Sequence, residues 1–264
     1  MAELEHVDLD GREELCRRIA WSAGMIALDG FASGAGIRMK GPQDFLTETD
    51  AAVEEHLKAN LRAAFPEDGF LGEETGGAAA QHVWVVDPID GTANFARGIP
   101  HYCISIAFVR GDTIELGAIY NPSECELYFA RRGKGATLNG RPITVAPTAD
   151  FNAACVELGW SNRRPNASYV AALASILDRG ANVRRGASGA LGLAYVANGR
   201  SDAYVELHMH PWDCLAGLLL VQEAGGIVAS YLRGGGLVHG GPVIAAAPGI
   251  APGLSEATGL PIAP

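Results

Sequence analysis

A chain of 264 residues, 48% of them hydrophobic, is long enough to bury a large core in one unit or in two closely packed lobes. A formal net charge of −10 speaks against a surface built to hold nucleic acid or anionic lipid. Cys16, Cys103, Cys125, Cys155 and Cys214 are scattered and form no C-x-x-C pair, as expected of reduced thiols in the cytoplasm; the opening MAELEHVDLDG lacks a signal-peptide core, and no apolar run is long enough to span a bilayer.

Asp10, with Glu13 behind it, predicts a helix start; Leu15, Ile19, Ser22 and Ile26 share one helical face, and Gly30 is the expected stop. Residues 30–47, rich in glycine and polar groups, predict a mobile loop. Thr49 or Asp50 opens a second helix with Val53, Leu57 and Leu61 on its buried stripe and Pro66 beyond it. His82 to Asp87 is a strand, ended by Pro88. Residues 102–109, 113–120 and 125–130 predict antiparallel strands separated by Gly-Asp and Asn-Pro turns. Helices follow at 165–178, 188–198 and 211–224, the last closed by Gly225-Gly226. Strands are expected at 183–185, 203–207, 227–230 and 242–247, and a terminal helix at about 250–258. Strands and helices alternate without repeats or a low-complexity linker, which implies stacked α+β layers.

The most informative stretch is Asp87-Pro88-Ile89-Asp90-Gly91-Thr92. It sets two carboxylates three residues apart at a strand end and runs into a Gly-Thr turn that can open a helix. Carboxylates offer hard oxygen ligands to Mg²⁺, and helix-start N–H groups can hold phosphate. Glu73-Glu74 upstream and Asp213 downstream add acids that would repel one another without cations. An oxygen-only set suits Mg²⁺ better than zinc.

The segments GEET (72–75), WVVDPIDGTANF (84–95) and WDCLAGLLLVQEAGG (212–226) resemble the inositol monophosphatase family of Mg²⁺-dependent, lithium-sensitive phosphatases, in the family's order and spacing over roughly residues 10 to 258. The resemblance implies a layered αβαβα sandwich: one catalytic unit over 1–264, with a metal and phosphate lobe at about 1–146 and a substrate lobe at 147–264. It implies two to three Mg²⁺ ions. Glu73, Asp87 and the Ile89 carbonyl would hold one, and Asp87, Asp90 and Asp213 another, with Asp87 shared. Glu73 would also reach a weaker third through water. Thr92 would orient the attacking water, assisted by Asp50, which on sequence alone reads equally well as a plain helix cap. Gly91 and Thr92 would cradle phosphate, Ser188 and Gly189 would line the pocket, and Glu206 would receive substrate hydroxyls. Glu74 is a hydrogen-bond acceptor behind the site or part of a turn. Lys40 stands near the position of a family loop lysine.

Arg97 and Ala93 depart from the commonest pattern of the family and leave the substrate open. Inositol monophosphate leads, histidinol phosphate is its rival, and fructose 1,6-bisphosphate and nucleotide 3′-phosphates follow. His208 and His210 raise a zinc-hydrolase alternative, Trp212 reads as a core anchor, and Cys214 lacks a base that would make it a nucleophile. The resemblance also implies a homodimer acting on a small phosphate ester. It leaves a regulatory protein associated with RNA or RNA polymerase as the non-enzymatic alternative.

Overall fold

The computed structural model describes residues 7–34, 37–41 and 44–262, and of residues 37–41 and 44–46 the backbone only. In chain order the elements are α1 (Leu9–Ser33), β1 (Ile37–Gly41), β2 (Asp44–Thr47), α2 (Glu48–Ala64), β3 (Gly69–Gly72), β4 (Gly76–Gly77), β5 (His82–Asp90) and α3 (Thr92–Phe95). Then come β6 (Cys103–Arg110), β7 (Thr113–Asn121), β8 (Glu126–Arg131), β9 (Ala136–Leu138), β10 (Arg141–Pro142), β11 (Cys155–Leu158) and α4 (Asn166–Asp178). The rest are β12 (Asn182–Arg184), α5 (Gly189–Ala197), β13 (Ala203–Met209), α6 (Pro211–Glu223), β14 (Ile227–Val228), α7 (Gly236–His239), β15 (Gly241–Ala246) and α8 (Ala251–Thr258).

Two larger sheets carry the molecule. The first has eight strands in the order β10-β9-β8-β7-β6-β5-β3-β4, all antiparallel except β3 beside β5. The second has five, β12-β11-β13-β15-β14, in which β11, β12 and β13 run parallel. On one face of the large sheet, Leu15, Ile19, Val53 and Leu57 of α1 and α2 meet Trp84, Ile106 and Phe108. Its other face packs on α5 and α6, which are buried between the two sheets. The outer face of the small sheet is covered by α4 and α8 through Ile176, Leu254 and Ile244. The result is an α+β fold of five layers, αβαβα. The all-round apolar sequence of α6 follows from its place: a helix with a sheet on either side has no solvent face. No helix among the described residues is long and apolar enough to cross a membrane.

Several expected boundaries shift. The first helix is capped by Asp8 and runs past Gly30 to Gly34, which takes the left-handed cap. Gly30 is there for close packing, because a Cβ at that position would collide with the Thr49 side chain. The segment expected to be a mobile loop pairs β1 with β2 as an antiparallel hairpin. The second helix begins at Glu48, just before Thr49 and Asp50, with Thr47 as its cap. Pro88 does not end β5: the ladder resumes at Asp90 opposite Cys103 after a register shift, so a bulge absorbs the missing N–H. Strands β3 and β11 carry no strong signal in the sequence. Glu157 interrupts the short apolar run of β11, yet it is buried, bound by Arg184 at 2.5 Å and by Ser201 at 3.0 Å.

Candidate active site

The bulge in β5 aims Asp87 and Asp90 at the same space. Within the turn, the Ile89 N–H donates to Asp87 Oδ1 at 3.0 Å and fixes that carboxyl. Gly91 then takes φ +97°, and a Cβ there would lie 2.9 Å from the His101 carbonyl, so glycine alone turns the chain into α3. Asp213 arrives from α6, where it closes a capping box by accepting the His210 N–H at 3.0 Å. Oxygens of Asp87, Asp90 and Asp213 all lie within 4.8 Å of one another.

Asp90 is held from the other sheet's side of the molecule. Its Oδ2 accepts from the Ser188 hydroxyl at 2.5 Å and from the Ala190 N–H at 2.8 Å, at the start of α5. Acids are thus placed at the N-terminal turns of α2, α5 and α6, where the free N–H groups and the helix dipole favour negative charge.

That compensation is partial. Burial, then the charges of Glu73, Asp90 and Asp213, pushes the Asp87 carboxyl well above the ordinary carboxylate range. Burial and then Asp90 raise Asp213 to about 8. Asp90 is raised by burial against the pull of Ser188 and the α5 amides. Three acids that resist joint ionisation, offering only hard oxygens, form a donor set suited to Mg²⁺-type ions. The set fits a divalent cation and could bind one.

Glu73 lies at the end of β3, where its N–H donates to the Val86 carbonyl at 3.1 Å, and it lines the same cavity outside the tight group of three. Its loop is pinned by a residue that sequence reasoning missed. The fully buried Glu54 accepts from the Glu74 N–H at 2.9 Å and the Thr75 N–H at 2.8 Å. The available signal was a carboxylate next to Val53 on the buried stripe of α2. Glu74 itself is thereby a backbone anchor of the turn.

Asp50 is buried and does two things at once. Its Oδ2 accepts from the Thr47 N–H at 2.9 Å and from the Thr47 hydroxyl, completing a capping box. Its Oδ1 stands 3.4 Å from the Thr92 hydroxyl. Thr92 also reaches the Ile89 carbonyl at 2.9 Å. Burial raises Asp50 to about 6, against the lowering effect of Thr47.

Around these groups opens a cavity of about 490 Å³, lined by Glu73, Asp90, Gly91, Thr92, Ser188, Gly189, Glu206 and Asp213 among others. The structure therefore places the expected substrate residues around the same cavity as the acids. The Ser188 hydroxyl is engaged by Asp90. Glu206 accepts from the Tyr204 hydroxyl at 2.6 Å, and burial raises it to about 7. Trp160, Arg163 and Arg185 also line the wall and were not foreseen. Asn94, inside the quoted motif but given no role, donates to the His101 carbonyl at 2.8 Å and the Gly186 carbonyl at 2.9 Å. Arg97 lines the rim and donates to the Ala93 carbonyl at 2.8 Å.

Among the described residues the rings of the H-x-H pair are not part of the acid cluster. His210 stacks on Trp212 with ring centres 4.7 Å apart, and burial lowers it to about 4. His208 faces the His239 carbonyl at 3.2 Å. Among the described residues, the group with metal-ligand spacing is the three aspartates. Cys214 Sγ lies 3.3 Å from the His210 carbonyl and pairs with no base. The side chain of Lys40 lies outside the described residues.

The model of the inositol monophosphatase family matches residues 8–259. A Nus factor SuhB of Xylella fastidiosa is 42% identical over 196 residues, covering 73% of this chain and 71% of that protein. An inositol-1-monophosphatase of Mesorhizobium japonicum is 40% identical over 214 residues, covering 79% and 80%. The crystal structure of the extragenic suppressor protein suhB from Bartonella henselae superposes with a TM-score of 0.87 at 32% identity, covering 94% of this chain and 98% of that one.

Proposed function

Because the chain belongs to the inositol monophosphatase family, we propose that it hydrolyses the phosphate monoester of a small polyol or sugar, inositol monophosphate first, with two to three Mg²⁺ ions. The observation that carries this reading is the convergence of Asp87, Asp90 and Asp213 within 4.8 Å, at a cavity that Thr92 also lines. In this reading Glu73, Asp87 and the Ile89 carbonyl hold one ion, and Asp87, Asp90 and Asp213 hold a second. When bound, such ions neutralise phosphate oxygens and acidify water.

The chain's own groups do the rest. Turning the Thr92 hydroxyl proton from Ile89 to Asp50 frees the Ile89 carbonyl and leaves Thr92 Oγ1 as an acceptor for the water's proton. Asp50, ionised above about pH 6, fixes that orientation. Backbone N–H groups of Gly91 and Thr92 hold the phosphate, and Glu206 takes hydroxyls of the alcohol. The residues before and after about position 146 act as two lobes of one catalytic unit. A homodimer belongs to the same reading, by family resemblance, and five free cysteines support a cytoplasmic location.

The test is phosphate release from a panel of metabolite esters. We expect turnover with Mg²⁺, loss in chelator, and inhibition by Ca²⁺, whose longer bonds and looser geometry misplace the water, and by lithium. Full activity in excess chelator sinks the metal reading. The same panel ranks inositol monophosphate against histidinol phosphate, fructose 1,6-bisphosphate and nucleotide 3′-phosphates. The relatives named Nus factor SuhB favour a second reading, a regulatory protein. Failure to cleave any ester with Mg²⁺ would leave that role standing alone.

A further inference from the structure

The acids of the site account for one part of the cavity lining, and another wall carries two arginines, Arg163 and Arg185. Parallel strands β11, β12 and β13 all point their carboxyl ends at the cavity, the usual place for ligand-binding loops in such sheets. The loop after β11 carries Trp160 and Arg163, the loop after β12 carries Arg185, and β13 carries Glu206. Arg163 Nη1 reaches the Ser161 hydroxyl at a long 3.4 Å, and the Arg185 guanidinium lies 5.9 Å from the centre of the Trp160 ring. Among the described residues neither arginine pairs with a carboxylate.

The acids on this wall are already committed. Glu157 is bound by its neighbour Arg184, and Glu206 by Tyr204. Arg163 and Arg185 line the same cavity as Glu206, the carboxylate proposed to read the alcohol, and their charges pull it down against burial. A neutral polyol needs no such pair, and a cationic alcohol such as the amine of histidinol phosphate would be repelled by it. Guanidinium forks match planar carboxylates and phosphates.

We propose that Arg163 and Arg185 determine specificity by binding a second anionic group, a carboxylate or a second phosphate, on the alcohol portion of the substrate. This rests on the phosphomonoesterase reading and reorders its substrates: a polyol or sugar phosphate that carries another negative charge remote from the scissile ester goes ahead of inositol monophosphate.

Three esters test it with the full chain and saturating Mg²⁺: a hexitol 6-phosphate, the matching hexonate 6-phosphate, which differs only by a carboxylate at the far end, and the hexitol 1,6-bisphosphate. The expected result is that kcat/KM for at least one of the doubly anionic esters exceeds that of the hexitol monophosphate by roughly ten- to a hundredfold, chiefly through KM. Which one is favoured tells a carboxylate from a phosphate. The preference should shrink with added salt. In Arg163→Gln/Arg185→Gln the ratio should fall toward one, with each single variant between, and thermal melts identify any variant that has lost its fold. Equal rates on all three esters in the wild type, or a preference retained by the double variant, overturn the assignment while leaving the phosphatase reading intact. No turnover of any of the three, nor of an aryl phosphate, overturns both.

Discussion

The two walls of the cavity are built in different ways. On the acidic wall the four aspartates are tied to backbone: Asp87 by the Ile89 N–H, Asp213 by the His210 N–H, Asp90 by the Ala190 N–H and Asp50 by the Thr47 N–H. On the other wall the groups are fixed by other side chains or by none, as with Glu206 on Tyr204 and the exposed Arg163 and Arg185. Backbone ties hold a reacting geometry to tenths of an ångström, whereas loop side chains can be exchanged at little cost to the fold. The contrast suits the proposed division, with the chemistry on one wall and the choice of alcohol on the other.

The hardest test of that division falls on the acidic wall. Asp87→Asn and Asp90→Asn should each lower kcat by roughly a thousandfold or more, several kcal/mol of lost transition-state stabilisation, with circular dichroism and melting still those of a folded protein. Either variant keeping a tenth of wild-type kcat at saturating Mg²⁺ would remove that residue from the ion site.

Thr92→Ala comes next. It should cost roughly a hundredfold in kcat and little in KM, because in the proposed function the hydroxyl orients water and does not hold the ground-state ester. Asp50→Asn should behave alike, and the double variant should lose far less than the product of the two. Steady-state kinetics on one ester decide this. Multiplicative losses would mean that Asp50 serves only to cap α2.

On the other wall, Glu206→Gln should reduce kcat/KM for a polyol phosphate by roughly ten- to a hundredfold, the worth of a charged hydrogen bond. An aryl phosphate, which offers no hydroxyls, should respond much less. Equal losses on the two would erase the functional distinction between the walls.

The smallest effect is on stability. Asp213, Glu206 and Asp50 are raised to about 8, 7 and 6 in the folded protein. An acid whose pKa is raised by folding favours the fold while protonated. Its contribution is complete below about pH 4, the range of free carboxylates, and is lost as pH rises through 6 to 8. In chelator the melting temperature should therefore fall between pH 5 and pH 8. Asp213→Asn should flatten that slope and melt higher than wild type at pH 8, and added Mg²⁺ should restore the wild type. A chelated wild type that melts higher at pH 8 than at pH 5 would contradict the electrostatic account of the acidic wall.

The acidic wall was also the more legible in sequence, for a physical reason. Asp87, Asp90, Gly91 and Thr92 are neighbours in the chain, so the turn that joins them is written locally. Asp213 heads a helix whose unbroken apolar run announces itself. The groups that support them were not legible. Glu54 sits on a helical stripe where a carboxylate reads as solvent-facing, and only its bonds to the Glu74 and Thr75 amides explain its burial. Ser188 meets Asp90 across 98 residues, a pairing that no local pattern encodes. In the fold, α6 and the meander β6–β8 followed from periodicity. Strand β11 was hidden by Glu157, and the continuation of β5 by Pro88, because in each case a tertiary partner or a bulge overrides the local preference.

The clasp on Asp90 has a consequence for the order of events in synthesis. The Ala190 amide that completes it follows Asp90 by 100 residues. At about 5–20 residues per second, a ribosome delivers that amide roughly 5 to 20 seconds after the carboxylate it will hold. During that interval two of the acids are present, while Asp213, the α5 amides and the helices that cover one face of the eight-stranded sheet do not yet exist. Capture of an ion by the full set of three is therefore a property of the finished chain. A chain ending before α6 lacks Asp213 and leaves one face of the eight-stranded sheet without its α6 cover.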